Sequence, residues 1–338
     1  MMIREAKAMK KNNTIKEICE KLMSAGSILI FPHVSMDGDA LGSSVALCRA
    51  MRGRGKMAYV LIEDKIPDYL RFLDDGSCTH DRDAIGSPDV CVCVDCAEID
   101  RFILRKDKFL EGKASMCIDH HKTSSCFADF NYIDAAAATT AELVYDILTG
   151  MESPIDELTG EAIYAAILTD TGNFQYTNTN IKSHLIAIEL YKSGIDRNYV
   201  NRMLYQNNRA EKFLIAGRIY NTIKMIAGGR AVTAYVTREM LKEAGAMIED
   251  SEGIAETLRT ISGVEISVFA KETAAGEVKF SMRSKSWADV SELSAKYDGG
   301  GHKGAAGCTL RATIGEALKI MEADIEEYFA KNGGGDDD

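Results

Sequence analysis

Short runs of hydrophobic residues alternate with segments of helical periodicity along the first half of the chain. Continuous apolar runs at residues 27–31, 57–62, 89–94 and 114–118 predict buried strands. An amphipathic helix is predicted from Ile15 onward, and further helices are predicted at residues 40–52, 139–148 and 161–169. Strands that alternate with helices are typical of an open, mostly parallel α/β sheet with helices on both faces.

A second region with its own pattern begins near Arg209. Residues 212–226 predict a helix, and residues 231–236, 265–270 and 278–282 predict strands, with helices between and after them. We therefore expect a first domain over residues 1–195, a helical connector over 196–212 and a smaller α/β domain over 213–331. The glycines and aspartates at the end predict a mobile tail over 332–338.

The composition narrows the class of protein. The 338 residues are enough for two domains, and the formal net charge of -11 argues against a surface for long nucleic acid. The nine cysteines lie in apolar runs, which suits a reducing compartment. Cys91, Cys93 and Cys96 are close enough in sequence for a metal site, although Cys91 and Cys93 would share one face of a strand and pack there.

The character of the N-terminus and the lengths of the apolar runs indicate where in the cell the protein is expected. The first twenty residues are charged and do not resemble a signal peptide. The longest apolar runs fall well below the roughly 20 residues that a membrane-spanning helix needs. We therefore expect a cytoplasmic protein without membrane contact.

Three of the four predicted strands of the first domain end in histidine or aspartate. His33, Asp37 and Asp39 follow the first strand, and Asp95 ends the third. Ligands of open α/β sheets bind outside the carboxyl ends of the strands, so these side chains are candidates for a common site. Two aspartates beside a glycine are also typical of a turn, and Asp95 is also a candidate helix N-cap.

The fourth strand ends in three consecutive ionisable residues, Asp119, His120 and His121, which are costly to bury without a partner. Asp170 ends an apolar helix, where its charge opposes the helix dipole and a nearby cation would compensate it. Imidazole and carboxylate groups suit manganese, iron, cobalt or zinc more than calcium. The number of such groups is right for two metals that share a bridging carboxylate. The candidate ligands are His33, Asp37, Asp39, Asp95, His120 and Asp170.

The second domain contains a run of small residues at 298–307, with Gly299, Gly300 and Gly301 followed by His302. Consecutive glycines let a ligand approach the backbone and can present N–H groups to a phosphate. Arg283 ends a predicted strand shortly before and could bind phosphate in a bidentate manner. A simple glycine-rich turn is the alternative interpretation of this run.

Taken in order, the segments of the first domain resemble the four motifs of the DHH phosphoesterase superfamily, with Asp119-His120-His121 as the triplet. The resemblance implies that His33 and Asp37 hold one metal, that Asp39, His120 and Asp170 hold the other, and that Asp95 bridges them. It implies two divalent ions, with manganese expected and magnesium or cobalt as alternatives. Members usually carry proline where this chain has Met36.

The same resemblance implies roles for residues around the metals. Water activated by the two cations would be the nucleophile, His121 would contact the phosphate, and Asp119 would orient a histidine. Arg101, six residues after Asp95, is a further candidate for contact with the phosphate, although it also has the features of an ordinary surface arginine.

The second domain resembles the DHH-associated C-terminal domain, in which a Gly-Gly-Gly-His motif and an arginine bind substrate. The combination is similar to the nano-RNase/pAp-phosphatase (NrnA-like) family. The resemblance implies a hydrolase of short oligoribonucleotides and linear dinucleotides, with 3′-phosphoadenosine 5′-phosphate (PAP) as a further candidate substrate, and a homodimer. The alternatives are a cyclic-dinucleotide phosphodiesterase and a module that binds nucleotides without hydrolysis.

Overall fold

A six-stranded sheet forms the centre of the first of two units into which the chain divides, Met1–Asn207 and Asn208–Asp338. The computed structural model describes residues 12–273 and 276–332. The strands of this sheet are β1 Ser27–Pro32, β2 Met57–Leu61, β3 Cys78–Thr79, β4 Val90–Val94, β5 Ala114–Asp119 and β6 Phe130–Ile133. They run in the order β3-β2-β1-β4-β5-β6, and every neighbouring pair is parallel.

Both faces of this sheet are covered, which explains why its central strands have continuous apolar runs. In β1, Ile28 and Ile30 belong to the larger core on one face, whereas Leu29 and Phe31 pack on the other face. The helices of the unit are α1 Ile15–Ser24, α2 Gly38–Gly53, α3 Lys106–Leu110, α4 Thr140–Gly150, α5 Glu157–Asp170, α6 Ile181–Ser193 and α7 Arg197–Tyr205. Short 3-10 segments occupy Asp68–Leu73 and Ile99–Arg105.

The second unit contains a mixed six-stranded sheet. Its strands are β7 Lys224–Ile226, β8 Ala231–Val236, β9 Ile266–Glu272, β10 Val278–Ser284, β11 Gly300–His302 and β12 Ala305–Leu310, in the order β11-β12-β10-β9-β8-β7. Only the β8–β9 pair is parallel. The helices are α8 Ala210–Tyr220, α9 Arg238–Ala244, α10 Ile254–Arg259, α11 Val290–Ala295 and α12 Ile314–Asn332. Hydrophobic clusters lie on both faces of this sheet as well.

The predicted α/β class of both units is confirmed. The helix predicted over residues 212–226 is wrong in its second half, because α8 ends at Tyr220 and residues 224–226 form an edge strand. The tail predicted over 332–338 begins at the last residue of α12, and residues 333–338 lie outside the described residues. Within the described ranges, no helix is both long and apolar enough to cross a membrane.

Candidate metal centre

The carboxyl ends of β1, β4 and β5 lie side by side at one rim of the parallel sheet. Pro32 of β1 is paired with Val94 of β4, and Val94 is paired with Ile118 of β5. The residues that leave these three strands therefore meet at the same edge. This is the edge at which α/β sheets bind their ligands.

His33 forms the first group of candidate ligands with Asp37 and Asp95. Its Nε2 atom lies 3.8 Å from Asp37 Oδ2 and 3.5 Å from Asp95 Oδ2. Its Nδ1 atom lies 2.7 Å from the carbonyl oxygen of Val34 and donates to it, so Nε2 is the ring nitrogen that faces the carboxylates and could bind a metal. Asp37 also caps α2, since its Oδ1 accepts from Ala40 N at 3.0 Å. The turn and ligand interpretations of Asp37 are therefore compatible.

His120 forms the second group with Asp39 and Asp170. Its Nε2 atom lies 3.9 Å from Asp39 Oδ2 and 3.7 Å from Asp170 Oδ2. Its Nδ1 atom lies 3.4 Å from the carbonyl oxygen of Ala137, on the side of the ring away from the carboxylates. The nitrogen and oxygen atoms of each group lie within 4.8 Å of one another.

Asp95 contacts both groups with different oxygen atoms. Its Oδ2 lies 3.5 Å from His33 Nε2, and its Oδ1 lies 3.6 Å from His120 Nε2. One carboxylate therefore lies between two sets of ligands. The backbone of Asp95 has φ +60°, a left-handed conformation that is uncommon outside glycine and often occurs at functional sites.

The electrostatics of the centre favour bound cations. Burial raises the pKa of Asp39 well above its usual value, and the nearby charges of Asp95 and Asp170 raise it further. Burial also raises the pKa of Asp170 to about 6, although His120 opposes that shift. Burial disfavours a charged His33, yet the two carboxylates beside it raise its pKa to about 10.

The separations of 3.5–3.9 Å between ligand atoms are longer than hydrogen bonds. A set of imidazoles and crowded carboxylates with such gaps, in which Asp39 and Asp95 are buried, fits divalent metals such as manganese. No thiolate takes part in this set. The chemistry of the donors therefore agrees with two metal positions.

The N-terminus of α4 holds two of the carboxylates in place. Asp39 Oδ2 accepts from Thr140 N at 2.7 Å, and Asp39 Oδ1 accepts from Ala141 N at 3.0 Å. The Thr140 hydroxyl donates to Asp95 Oδ1 at 2.8 Å. A negative charge is stabilised at a helix N-terminus, and hydrogen bonds of this kind orient metal ligands. Thr140 was not predicted from the sequence, in which its only signal is the Thr-Thr pair that begins a predicted helix.

Close packing of α2 on α5 brings the ligands of the two helices together. A Cβ atom on Gly38, between Asp37 and Asp39, would lie 2.3 Å from the side-chain oxygen of Thr169. The glycine is therefore needed for the approach of the two helices at this point. Thr169 precedes Asp170, so the contact fixes the distance between ligands that are far apart in sequence.

His121 points at the centre with support from Asp119. Its Nδ1 atom donates to Asp119 Oδ1 at 2.7 Å and lies 3.6 Å from Asp95 Oδ1. The hydrogen bond to Asp119 is the main reason that the pKa of His121 is raised. Arg101 is exposed, and its carbonyl oxygen accepts from the backbone N–H of Val34, next to His33.

In the second unit, Arg283 and His302 lie in one row across the sheet. Arg283 of β10 is paired with Ala305 of β12, and Ala305 is paired with His302 of β11. Directly paired residues share a face, so Arg283 and His302 project from the same side. Arg283 Nε donates to Glu256 Oε1 at 2.7 Å, and His302 is exposed.

The three glycines before His302 differ in whether the surrounding structure would allow a side chain. A Cβ on Gly299 would lie 2.4 Å from the carbonyl oxygen of Gly307, and Gly301 has φ +143°. At both positions the fold of the backbone requires glycine. A Cβ on Gly300 would meet nothing within 4 Å, so Gly300 alone of the three is open to a ligand.

Comparison with known proteins agrees with the fold and the motifs. Residues 27–168 match the DHH family, N-terminal domain, and residues 228–331 match the DHHA1 domain. The chain is thus a DHH-type phosphoesterase with a DHHA1 domain. It is 34% identical over 307 residues to the bifunctional oligoribonuclease and PAP phosphatase NrnA of Thermus thermophilus, and the match covers 89% of this chain and 90% of that protein. The chain therefore belongs to the NrnA family of DHH hydrolases.

Solved structures show the same architecture. An exopolyphosphatase-related protein from Bacteroides fragilis superposes with a TM-score of 0.88 at 27% identity, over 94% of this chain and 96% of that one. RecJ from Thermus thermophilus, in complex with Mn²⁺, superposes with a TM-score of 0.51 at 15% identity, over 97% of this chain and 56% of that one. The likeness to RecJ shows a shared fold.

Proposed function

We propose that this protein is a two-metal phosphoesterase that cleaves short oligoribonucleotides and linear dinucleotides to mononucleotides, and PAP to AMP. The observation that carries the proposal is the position of Asp95, whose two oxygen atoms face two separate groups of ligands. The family relationship supports the choice of substrates, because the similar Thermus protein is named for both activities.

The metal positions are assigned from the two groups. We assign His33 and Asp37 to one ion and the group around His120 to the other, with Asp95 as the bridge. The second group consists of Asp39, His120 and Asp170. Two divalent cations there, manganese in our proposal, would lower the pKa of a water molecule and neutralise charge on the scissile phosphate.

The residues around the ligands position the substrate. His121, fixed by its hydrogen bond to Asp119, would present its Nε2 atom to a phosphate oxygen and stabilise the charge that develops there. Arg101 is placed beside the loop that carries His33 and is our further candidate for this contact.

We assign substrate binding in the second domain to Arg283, His302 and the Gly299–Gly301 segment. The guanidinium and imidazole share one face of the sheet, and Gly300, two residues before His302 on β11, leaves the backbone open beside this row. This arrangement fits a phosphate group. Replacement of Arg283 by alanine should raise the KM for PAP about tenfold while manganese affinity stays the same, which steady-state kinetics and calorimetry would show.

Turnover assays separate this proposal from its alternatives. The purified protein is incubated with Mn²⁺, Mg²⁺ or Co²⁺ and with pApA, PAP, cyclic di-AMP or pyrophosphate, and the products are resolved by chromatography. We expect manganese-dependent release of AMP from pApA and PAP. Faster turnover of cyclic di-AMP would favour the cyclic-dinucleotide alternative, and nucleotide binding without any product would favour a non-hydrolytic module.

Substitution of the bridging residue tests the mechanism. Asp95→Asn should abolish turnover while the protein stays folded, because a neutral amide cannot share its charge between two cations. Circular dichroism serves as the control for folding. Turnover at the wild-type rate in this variant would contradict the bridging role.

The family relationship also supports a proposal for the location, oligomeric state and partners of the protein. We propose a cytoplasmic homodimer, with short RNA rather than long duplexes as its partner, in agreement with the net charge of -11. Sedimentation velocity should give twice the 37.0 kDa of one chain. A single species of one chain's mass at micromolar concentration would contradict the dimer.

A further inference from the structure

An open cavity of about 730 Å³ lies beyond the carboxyl end of β6, within the first unit. One wall is the loop after β6, which includes Asp134 and Ala137, and the other is the start of α6, from Thr179 to His184. The volume lies in the range of pockets that bind small organic ligands. None of the candidate metal ligands lines this cavity.

The cavity shares its walls with the metal centre. The carbonyl oxygen of Ala137, in one wall, is the partner of His120 Nδ1 at 3.4 Å. Asn178, next to Thr179 in the other wall, donates through Nδ2 to the carbonyl oxygen of Asp170 at 3.1 Å. The segments that enclose the cavity therefore also support two metal ligands, His120 and Asp170. The cavity and the metal centre are thus neighbours, joined by these two segments.

The lining combines an apolar side chain, a flat ring and an unused hydroxyl with the charged residues Asp134, Glu142 and Lys182. Ile181 is 79% exposed although it is aliphatic. The exposed His184 ring stacks on Phe174 with 4.7 Å between the ring centres and 20° between the planes. Thr179 Oγ1 is buried and finds no hydrogen-bond partner in the described part of the chain. A buried polar atom without a partner is costly, and a ligand that bonds to it would remove that cost.

We propose that this cavity binds a nucleobase of the substrate, on the nucleoside joined to the scissile phosphate. A base has apolar faces, which suit Ile181 and the imidazole of His184, and polar edges, which suit the Thr179 hydroxyl. The inference rests on the proposed hydrolysis of short nucleotides. It adds a second point of attachment within the first domain and assigns it to Thr179, Ile181 and His184.

Abasic substrates test the site. Turnover of pApA is compared with turnover of two analogues in which one or the other adenine is replaced by hydrogen, for the wild type and for His184→Ala and Thr179→Val. Loss of a stacked base typically costs about tenfold or more in affinity. We expect one analogue to raise the wild-type KM about tenfold, and we expect that penalty to shrink to less than about threefold in His184→Ala. Glu189→Ala, on the exposed face of the same helix but outside the cavity, is the matched control and should keep the full penalty.

The outcomes separate this inference from the proposed function. Absence of hydrolysis of any nucleotide by the wild type would contradict the proposed function itself. An active wild type whose abasic penalty is unchanged in both cavity variants would overturn the base site. If His184→Ala instead changes the sedimentation coefficient and leaves the penalty intact, the exposed apolar surface is an interface between copies of the chain, and the base site is likewise overturned. Melting temperature and manganese affinity show that each variant is folded.

Discussion

The hydroxyl of Thr140 provides a sharp test of how the metal centre is organised, because it contacts a ligand without being one. Thr140 Oγ1 donates to Asp95 Oδ1 at 2.8 Å, and the backbone N–H of the same residue donates to Asp39. Thr140→Val removes the hydroxyl, keeps the branched shape and leaves the backbone contact in place. The substitution therefore isolates one hydrogen bond to the proposed bridge.

The size of the effect follows from the charge of the acceptor. A hydrogen bond to a charged group contributes about 1.5–3 kcal/mol. Since about 1.4 kcal/mol corresponds to a factor of ten in an equilibrium constant, loss of the bond should weaken metal binding about 10- to 100-fold. This range agrees with the usual cost of removing a residue that orients a metal ligand. Helix α4 itself should persist, because Thr139 supplies its cap.

Calorimetric titration with manganese measures this effect directly. Thr140→Val should show the weakened binding, and Thr140→Ser, which keeps a hydroxyl, should bind within about threefold of the wild type. Melting curves recorded in the presence of a chelator measure the stability of each variant without bound metal. Equal manganese affinity for the wild type and the valine variant would refute the view that this hydroxyl orients Asp95.

Two further predictions concern packing and a buried charge. Gly42→Val should lower the free energy of unfolding by about 2–3 kcal/mol and weaken manganese binding, because its Cβ would lie 2.5 Å from the carbonyl oxygen of Ala162. Gly53→Val, on the same helix with open space around it, is the control, and equal urea midpoints for the two variants would contradict the explanation. Glu265→Gln should cost the second unit about 1.5–3 kcal/mol at pH 7, because the carboxylate accepts three backbone N–H groups and the Ser286 hydroxyl. Burial tends to raise the pKa of Glu265, but these bonds hold it below 4.5, so the stabilisation is complete above pH 4.5 and is lost as the pH falls through the folded value. Urea unfolding at pH 7 and pH 3 should show the difference between wild type and variant shrinking at pH 3, and a constant difference would count against this assignment.

The sequence allowed the rim of the first sheet to be predicted because the signal there is local. A strand buried on both faces must be continuously apolar, so a polar residue marks its exit, as Asp95 does after β4. Asp119 differs slightly, since it is the last residue of β5 rather than the first after it. Parallel strands then bring their exits together without further information from the sequence.

The elements that were not predicted have weak local signals. Edge strand β6, Phe130–Ile133, has four residues with no regular alternation. β11 contains two glycines, and its sequence is typical of a turn. The contact of Thr140 with Asp95 depends on how α4 packs against the rim, which no local pattern encodes. The same holds for Gly38, whose role became clear only from its distance to Thr169.

The crowding of four carboxylates around two imidazoles also has a consequence for the folded chain as a whole. Bound cations would relieve the repulsion among these acids, so metal supply should control heat resistance as well as catalysis. An ion that binds the native state alone adds about 2.7 kcal/mol of stability at a concentration one hundred times its Kd. Purification in chelating buffers should therefore yield a chain that melts earlier and regains its melting temperature when manganese is returned.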